Sequence, residues 1–246
     1  MRIIIDGRNC EAEPGEYILA VAKRNGIDIP TLCSSDALPG IGSCRICVVE
    51  LIERNKTRVV ASCIYPITHE AEVITNSQRI IGIRKTIMKL LLSRAPENEH
   101  LSNFAKRYGL WPSELLNAQE EECILCGLCT RACEELGANA ISTVGRGTDK
   151  KVSTPYDEPS AVCIGCGSCA AVCPTKVIKA EEVNGTRKIW GKTFELLRCK
   201  RCGEHYAPRE YIDFMEKKLG EKSEADYCSS CRKVMQAEKF RDIYRI

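Results

Sequence analysis

The cysteines constrain this chain more than any other feature, because sixteen of its seventeen fall into four groups with the spacing of metal sites. Pairs of the form C-x-x-C are typical of metal ligation, and a chain of 246 residues is longer than most disulfide-dense domains. The first seven residues predict a strand and a turn, not a cleavable signal peptide. No apolar run approaches the ~20 residues of a membrane helix. We therefore expect a cytoplasmic protein without a membrane span, stabilised partly by metal–thiolate bonds.

The formal net charge of +3 is weak support for a nucleic-acid partner. If each cysteine group holds a metal centre, each centre carries about −2, and the net charge becomes about −5. Lysines and arginines of the C-terminal part also alternate with glutamates, which is typical of a solvated or protein-docking face. We therefore expect no nucleic-acid partner.

The first cysteine group predicts a 2Fe–2S cluster. Its four thiolates can hold such a cluster if backbone wraps around it, and Gly40 and Gly42 allow a tight turn just before the second cysteine. A zinc site built from the same residues is the alternative. The expected ligands are Cys33, Cys44, Cys47 and Cys63.

The second and third groups repeat the C-x2-C-x2-C-x3-C run of bacterial ferredoxins. In such pairs the fourth cysteine of each run ligates the other run's 4Fe–4S cluster, and paired zinc knuckles are the alternative. One cluster is therefore expected on Cys123, Cys126, Cys129 and Cys173. The other is expected on Cys163, Cys166, Cys169 and Cys133.

The fourth group consists of two C-x-x-C pairs about 25 residues apart, a spacing that predicts a zinc ribbon. A rubredoxin-like iron or a further cluster is the alternative at this site. His205 lies near the first pair, but four cysteines already complete a tetrahedron, so we expect it in solvent or behind the ligands. Cys10, the seventeenth cysteine, is expected to be a buried or idle thiol. The expected zinc ligands are Cys199, Cys202, Cys228 and Cys231.

The pattern between the cysteines predicts an α+β fold. Residues 2–5, 48–52 and 57–61 are predicted strands and residues 16–24 a helix, which together suggest a β-grasp unit. Residues 77–94 are predicted to form a helix with Ile80, Ile83, Ile87, Leu90 and Leu91 on one buried face, and a short helix follows. The predicted division is a β-grasp 2Fe–2S domain at 1–76, a helical connector at 77–120, a double 4Fe–4S ferredoxin domain at 121–185, and a zinc-ribbon-like domain with a C-terminal helix at 186–246.

Several motifs around the cysteines resemble one family. They are Thr31-Leu32-Cys33, Gly42-Ser43-Cys44-Arg45-Ile46-Cys47, Ala61-Ser62-Cys63, Cys123-Ile124-Leu125-Cys126-Gly127, Gly145-Arg146-Gly147-Thr148-Asp149 and Cys173-Pro174-Thr175. The sequence is similar to the large iron–sulfur subunit of respiratory complex I and to the diaphorase-side small subunit of soluble NAD-linked [NiFe] and [FeFe] hydrogenases and formate dehydrogenases. The resemblance covers residues 1 to about 182.

The sequence departs from that family at one site. Many members carry an extra 4Fe–4S cluster bound by one histidine and three cysteines, but no cysteine lies between Cys63 and Cys123 here. We therefore expect that cluster to be absent and His100 to be a surface residue.

No dinucleotide-binding glycine fingerprint, P-loop or nucleophile elbow is present in the sequence, so we expect no catalytic residues. The resemblance implies a non-catalytic electron relay in a cytoplasmic hetero-oligomer. Its expected partners are a flavoprotein subunit that binds NAD(P)H and a catalytic subunit of the hydrogenase or formate dehydrogenase type, with electron-bifurcating complexes included. A free ferredoxin-like carrier and a zinc-only interaction module are the alternatives.

Overall fold

The computed structural model describes residues 1–54, 56–110, 122–220 and 226–244. The chain forms two compact units, which are interleaved along the sequence. The first consists of Met1–Arg131 and Val172–Val177, and the second of Ala132–Ala171 and Ile178–Ile246. The four-part division of the sequence stays a prediction, and its boundary between 120 and 121 lies outside the described residues.

The first unit begins with a five-stranded mixed sheet in the order β2-β1-β5-β3-β4. Strands β1 and β5 are parallel, the other neighbouring pairs are antiparallel, and α1 packs on the sheet, which is a β-grasp arrangement. Branched apolar residues fill the core between the helix and the sheet. The elements are β1 (Arg2–Ile5), β2 (Arg8–Glu11), α1 (Ile18–Arg24), β3 (Val48–Glu53), β4 (Lys56–Ala61) and β5 (Glu72–Ile74).

Two helices follow the sheet, α2 (Gln78–Arg94) and α3 (Glu99–Arg107). Each has a side-chain N-cap: Ser77 Oγ accepts from the Ile80 N–H at 3.2 Å, and Asn98 Oδ1 accepts from the Leu101 N–H at 2.9 Å. Such caps satisfy N–H groups that have no partner within the helix.

The buried face of α2 differs from the predicted one. The helix buries Ile80, Arg84, Met88 and Leu92, whereas Leu90 is 53% exposed. Ile80 is buried as predicted, but the rest of the buried face is shifted around the helix to include Arg84. Its guanidinium donates to the Val48 carbonyl at 2.8 Å and to Asn76 Oδ1 at 3.0 Å, which places this face of the helix against the sheet.

The second unit contains a four-stranded antiparallel meander in the order β11-β10-β9-β8 and a separate hairpin of β6 and β7. The turn between β8 and β9, at Asn184 and Gly185, lies at the predicted boundary between residues 185 and 186. The elements are β6 (Ser142–Val144), β7 (Lys151–Ser153), α5 (Ser168–Ala171), β8 (Glu181–Val183), β9 (Thr186–Ile189), β10 (Lys192–Arg198), β11 (His205–Pro208), α6 (Arg209–Leu219) and α7 (Ser229–Tyr244). Helix α4 (Leu128–Leu136) contains the boundary between the units.

Within the described ranges, no helix is both long enough and apolar enough to cross a membrane.

Candidate metal centres

The four cysteines of the first group lie together and buried at the end of the β-grasp sheet. The Cys44 N–H donates to Cys33 Sγ at 3.3 Å, and the Cys47 and Cys63 sulfurs are 3.4 Å apart. Hydrogen bonding from Cys44 lowers the pKa of Cys33 to about 6, and hydrogen bonding from Cys63 lowers the pKa of Cys47 to about 6. Thiolates, which are the form that binds iron, are therefore favoured at two of the four positions.

The loop before Cys44 approaches the fourth cysteine closely. A Cβ atom at Gly40 would lie 2.2 Å from the Cys63 carbonyl oxygen, which no real side chain can do. Gly42 has a φ of +64°, a conformation that glycine adopts without strain. The backbone therefore wraps tightly around this cysteine group, as a cluster held by four thiolates requires.

The first three cysteines of the second group lie in the same compact unit, together with Cys173 of the third group. Burial raises the pKa of Cys126 to about 11, and the neighbouring thiolates of Cys173 and Cys123 add to that rise. Cys129 is buried in the first turn of α4. The Leu125 N–H donates to Cys123 Sγ at 3.4 Å. The crowding of these thiolates in apolar surroundings is relieved when they share a cationic metal centre.

The segment 172–177 brings the sulfur of Cys173 into this unit. The Thr175 hydroxyl lies 3.5 Å from Cys173 Sγ, and the Asn98 amide donates to the Thr175 carbonyl at 2.9 Å. Arg94 Nε donates to the Cys123 carbonyl at 2.8 Å. Helix α2 therefore contacts the segment of Cys123 through Arg94, and the N-cap of α3 contacts the segment of Cys173 through Asn98.

The loops of the first two cysteine groups contact each other within the first unit. Arg131 donates to the Pro39 carbonyl, and the Ser43 hydroxyl donates to the Leu125 carbonyl at 3.5 Å. The Cys33 thiolate contributes to the raised pKa of Cys126, so the two groups are also close electrostatically.

The first three cysteines of the third group line one cavity in the second unit. Its wall includes Cys133, Cys163, Cys166 and Cys169, together with Ile164 and Trp190. The Ala140 N–H donates to Cys133 Sγ at 3.2 Å. Cys133 therefore shares a cavity with the three cysteines of the later run, which is the arrangement that cross-pairing of the two runs requires.

Trp190 contributes to this cavity although no sequence pattern singled it out. Its indole N–H donates to Cys169 Sγ at 3.4 Å. Burial raises the pKa of Cys169 to about 11, and the indole hydrogen bond opposes that rise because it favours the thiolate. The one signal that could have found it is its position between two alternating strands.

The sulfurs of the fourth group all lie within 4.8 Å of one another. The Cys228 N–H donates to Cys199 Sγ at 3.3 Å, and the Cys231 N–H donates to Cys228 Sγ at 3.5 Å. Cys202 is exposed, whereas Cys199 and Cys228 are buried. Hydrogen bonding from the backbone of Cys202 lowers the pKa of Cys199 to about 6. This set of donors fits a tetrahedral thiolate site.

The remaining candidate residues lie outside these sites. His100 and His205 are both exposed. Cys10 is 2% exposed in β2 and packs in the core of the β-grasp sheet.

Comparison with protein families identifies the two cysteine-rich regions. Residues 1–78 match the 2Fe-2S iron-sulfur cluster binding domain. Residues 117–180 match the 4Fe-4S dicluster domain. The matches include every cysteine of the first three groups.

Two curated relatives extend the comparison. The NADP-reducing hydrogenase subunit HndD of Solidesulfovibrio fructosivorans is 32% identical over 214 residues, which cover 74% of this chain and 36% of that protein. One of the NADH-quinone oxidoreductase subunits of Rhizobium meliloti is 30% identical over 233 residues, which cover 82% of this chain and 27% of that protein. The chain thus spans about a third of the length of these relatives.

A solved structure agrees with these relatives. A chain of an NAD+-reducing [NiFe]-hydrogenase in the H2-reduced state matches with a TM-score of 0.56 and 25% sequence identity, over 62% of this chain and 74% of that chain.

The chain is therefore an iron–sulfur protein of the α+β class, with one 2Fe–2S domain and one 4Fe–4S dicluster domain. It is related to the iron–sulfur electron-transfer subunits of NAD(P)-linked hydrogenases and of NADH-quinone oxidoreductase, which confirms the resemblance seen in the sequence.

Proposed function

We propose that this chain is a non-catalytic relay subunit that passes single electrons through one 2Fe–2S and two 4Fe–4S clusters. Its partners are a flavoprotein subunit that binds NAD(P)H and a catalytic subunit of the hydrogenase or formate dehydrogenase type. The complex is cytoplasmic and hetero-oligomeric, and electron-bifurcating complexes belong to the same class.

The observation that carries this proposal is the contact between the loops of the first two cysteine groups. Arg131 and Ser43 each hydrogen-bond across that contact, at Pro39 and Leu125. A short separation between successive centres speeds electron transfer, and a protein with one isolated cluster has no use for such a contact. This geometry supports a relay over a storage or purely structural role for the clusters.

The cluster ligands in this proposal are those predicted from the sequence. The 2Fe–2S cluster takes Cys33, Cys44, Cys47 and Cys63. The first 4Fe–4S cluster takes Cys123, Cys126, Cys129 and Cys173. The second 4Fe–4S cluster takes Cys163, Cys166, Cys169 and Cys133. Convergence of each set within one compact unit supports these assignments.

We assign zinc to Cys199, Cys202, Cys228 and Cys231, in a ribbon formed by β10, β11 and the start of α7. Four thiolates without an open ligand position favour a structural ion. The Cys199–Gly203 turn connects two paired strands, as the first knuckle of a ribbon does.

Metal analysis of anaerobically purified protein tests the cofactor content. We expect about ten iron atoms and about ten acid-labile sulfides per chain from the three clusters, with one zinc. Colourless protein that contains only zinc would instead support the interaction module. Iron well above ten, without zinc, would assign a further iron centre to the fourth group.

Purification from native extract tests the partners. We expect a tagged chain to retain a flavin-containing subunit that reduces its clusters when NADH or NADPH is added, followed by absorbance bleaching. A monodisperse monomer in native extract, reducible only by a soluble reductase, would support the free carrier instead.

A further inference from the structure

A single hairpin of the second unit, formed by β9 and β10, holds the loop that carries three cysteines of the third group. Arg187 on β9 donates to the Gly165 carbonyl at 2.7 Å, and Lys192 on β10 donates to the Cys163 carbonyl at 2.8 Å. Phe194 is 1% exposed and packs so closely that a Cβ atom at Gly165 would lie 2.6 Å from its ring. The hairpin is therefore fitted to this cysteine loop.

The tip of the same hairpin is a two-residue turn with an unusual residue. Trp190 and Gly191 have φ values of 51° and 74°, the conformation of a type I′ turn. Asp6-Gly7 and Asn184-Gly185 form turns of the same kind between paired strands, and both use the residues that the turn favours. A bulky side chain at positive φ is strained.

The preferences of the type I′ turn therefore do not explain a tryptophan at position 190, but the contacts of its side chain do. The indole forms part of the cavity wall of the third group and donates its N–H to Cys169 Sγ at 3.4 Å. Asparagine or aspartate at the tip would be too short to cover the cavity. The strained backbone of Trp190 therefore coincides with a large ring whose N–H is directed at the Cys169 sulfur.

We propose that Trp190 is a positioning residue that raises the reduction potential of the second 4Fe–4S cluster through its hydrogen bond to Cys169. This inference rests on the proposed ligand set of that cluster. Reduction adds one electron, moves no proton and neither forms nor breaks a bond, so the added negative charge is shared by the sulfurs. A donor aimed at a ligand sulfur stabilises that charge, and the cations of Arg187 and Lys192, which donate from the hairpin to the cysteine loop, act in the same direction.

Two substitutions distinguish the effect of the indole N–H from the effects of the aromatic ring and of the turn conformation. Trp190→Phe keeps an aromatic ring but removes the N–H, and Trp190→Asn places a favoured residue in the turn. Both are expected to lower the midpoint potential of the second cluster, with about a tenfold fall in the ratio of reduced to oxidised cluster at a fixed potential, or about 59 mV. Lys188→Gln is the matched control, because Lys188 is an exposed cation on the same hairpin.

The measurement is a redox titration of the full chain followed by electron paramagnetic resonance, with the second cluster assigned from a Cys166→Ser variant. The potentials of the other two clusters and of the control are expected to stay unchanged. An unchanged potential in both Trp190 variants, with all clusters present, overturns the proposal. An iron content below about ten in the wild-type protein would contradict the proposed function instead.

A second measurement needs no substitution in the hairpin. The sequence has two tryptophans, at 111 and 190, and both can be labelled with ¹⁵N in the indole ring. Electron–nuclear double resonance is expected to detect one ¹⁵N nucleus coupled to the reduced second cluster, and the coupling should persist in Trp111→Phe. Absence of the coupling in wild-type protein overturns the proposal, even if the Trp190 variants lose the cluster.

Discussion

Arg84 is a buried cation on α2, 3% exposed, and among the described residues it has no carboxylate within ion-pair distance. Burial lowers its pKa, as expected for a cation that is held by neutral acceptors. The guanidinium instead satisfies the Val48 carbonyl and the Asn76 amide oxygen. Val48 follows Cys47 directly, so this side chain connects the helix to a segment that carries a proposed cluster ligand.

We expect Arg84→Met to lower the free energy of unfolding by about 2 kcal/mol, because the buried Val48 carbonyl loses its charged donor. Calorimetry or denaturant titration of the protein would measure this change. Arg79→Met is the matched control on the same helix, since Arg79 is 60% exposed and 3.8 Å from Glu50. The control should change stability by less than about 0.5 kcal/mol. Equal effects of the two substitutions would contradict a special role for the buried guanidinium.

The ease of prediction differed sharply between residues. Cysteine spacing led directly to four candidate sites, because metal ligation requires thiolates at short, fixed separations. Arg84 and Trp190 escaped prediction for the opposite reason. Arginine is normally exposed, and tryptophan is not a residue that type I′ turns favour, so only the packed structure identifies their partners.

At the level of elements, the side-chain amide of Asn98 makes two hydrogen bonds, one through its oxygen and one through its nitrogen. Oδ1 caps α3 by accepting from the Leu101 N–H, while Nδ2 donates to the Thr175 carbonyl two residues after Cys173. The residue is 5% exposed, so both bonds are shielded from water. The start of α3 therefore fixes the segment that presents Cys173, the fourth ligand proposed for the first 4Fe–4S cluster.

Asn98→Asp keeps the cap but loses the donor and places a carboxylate beside a carbonyl oxygen. We expect helix content to stay unchanged by circular dichroism, while the first 4Fe–4S cluster releases iron to a chelator several-fold faster. Ser77→Ala is the control for helix capping, because its hydroxyl caps α2 and its loss costs about 1 kcal/mol at a helix end that carries no cysteine. If Ser77→Ala accelerated iron release as much as Asn98→Asp, general loss of stability would explain the effect.

The meander β8–β11 shows where element prediction from sequence was incomplete. Asn184-Gly185 is a strong hairpin signal, and β10 alternates buried Phe194 and Leu196 with more exposed neighbours. Both signals are present in the sequence, but the predicted division assigned this region only a zinc ribbon and a C-terminal helix. Strand β5 is harder to predict, because its three residues are too few to establish a period.

At the scale of the whole molecule, each cysteine run contributes to both compact units. Cys129 belongs to the first unit and Cys133 to the second, although both lie on α4. Cys173 likewise belongs to the first unit, while Cys169 belongs to the second. The unit boundaries therefore separate the fourth cysteine of each run from the first three. This is the division that cross-pairing of the clusters predicts.

Cys133→Ser tests that division, because the substituted residue is close in sequence to one proposed cluster and close in space to the other. We expect it to perturb the second cluster, whose cavity it shares with Cys163, Cys166 and Cys169, and to leave the first unchanged. Cys173→Ser is the reciprocal variant and should perturb the first cluster, since its thiolate adds to the raised pKa of Cys126. Paramagnetic resonance would assign each loss by comparison with Cys126→Ser and Cys166→Ser. If Cys133→Ser instead gave the spectrum of Cys126→Ser, the four cysteines of each run would bind one cluster. The interleaving of the two units would then not reflect how the cluster ligands are shared.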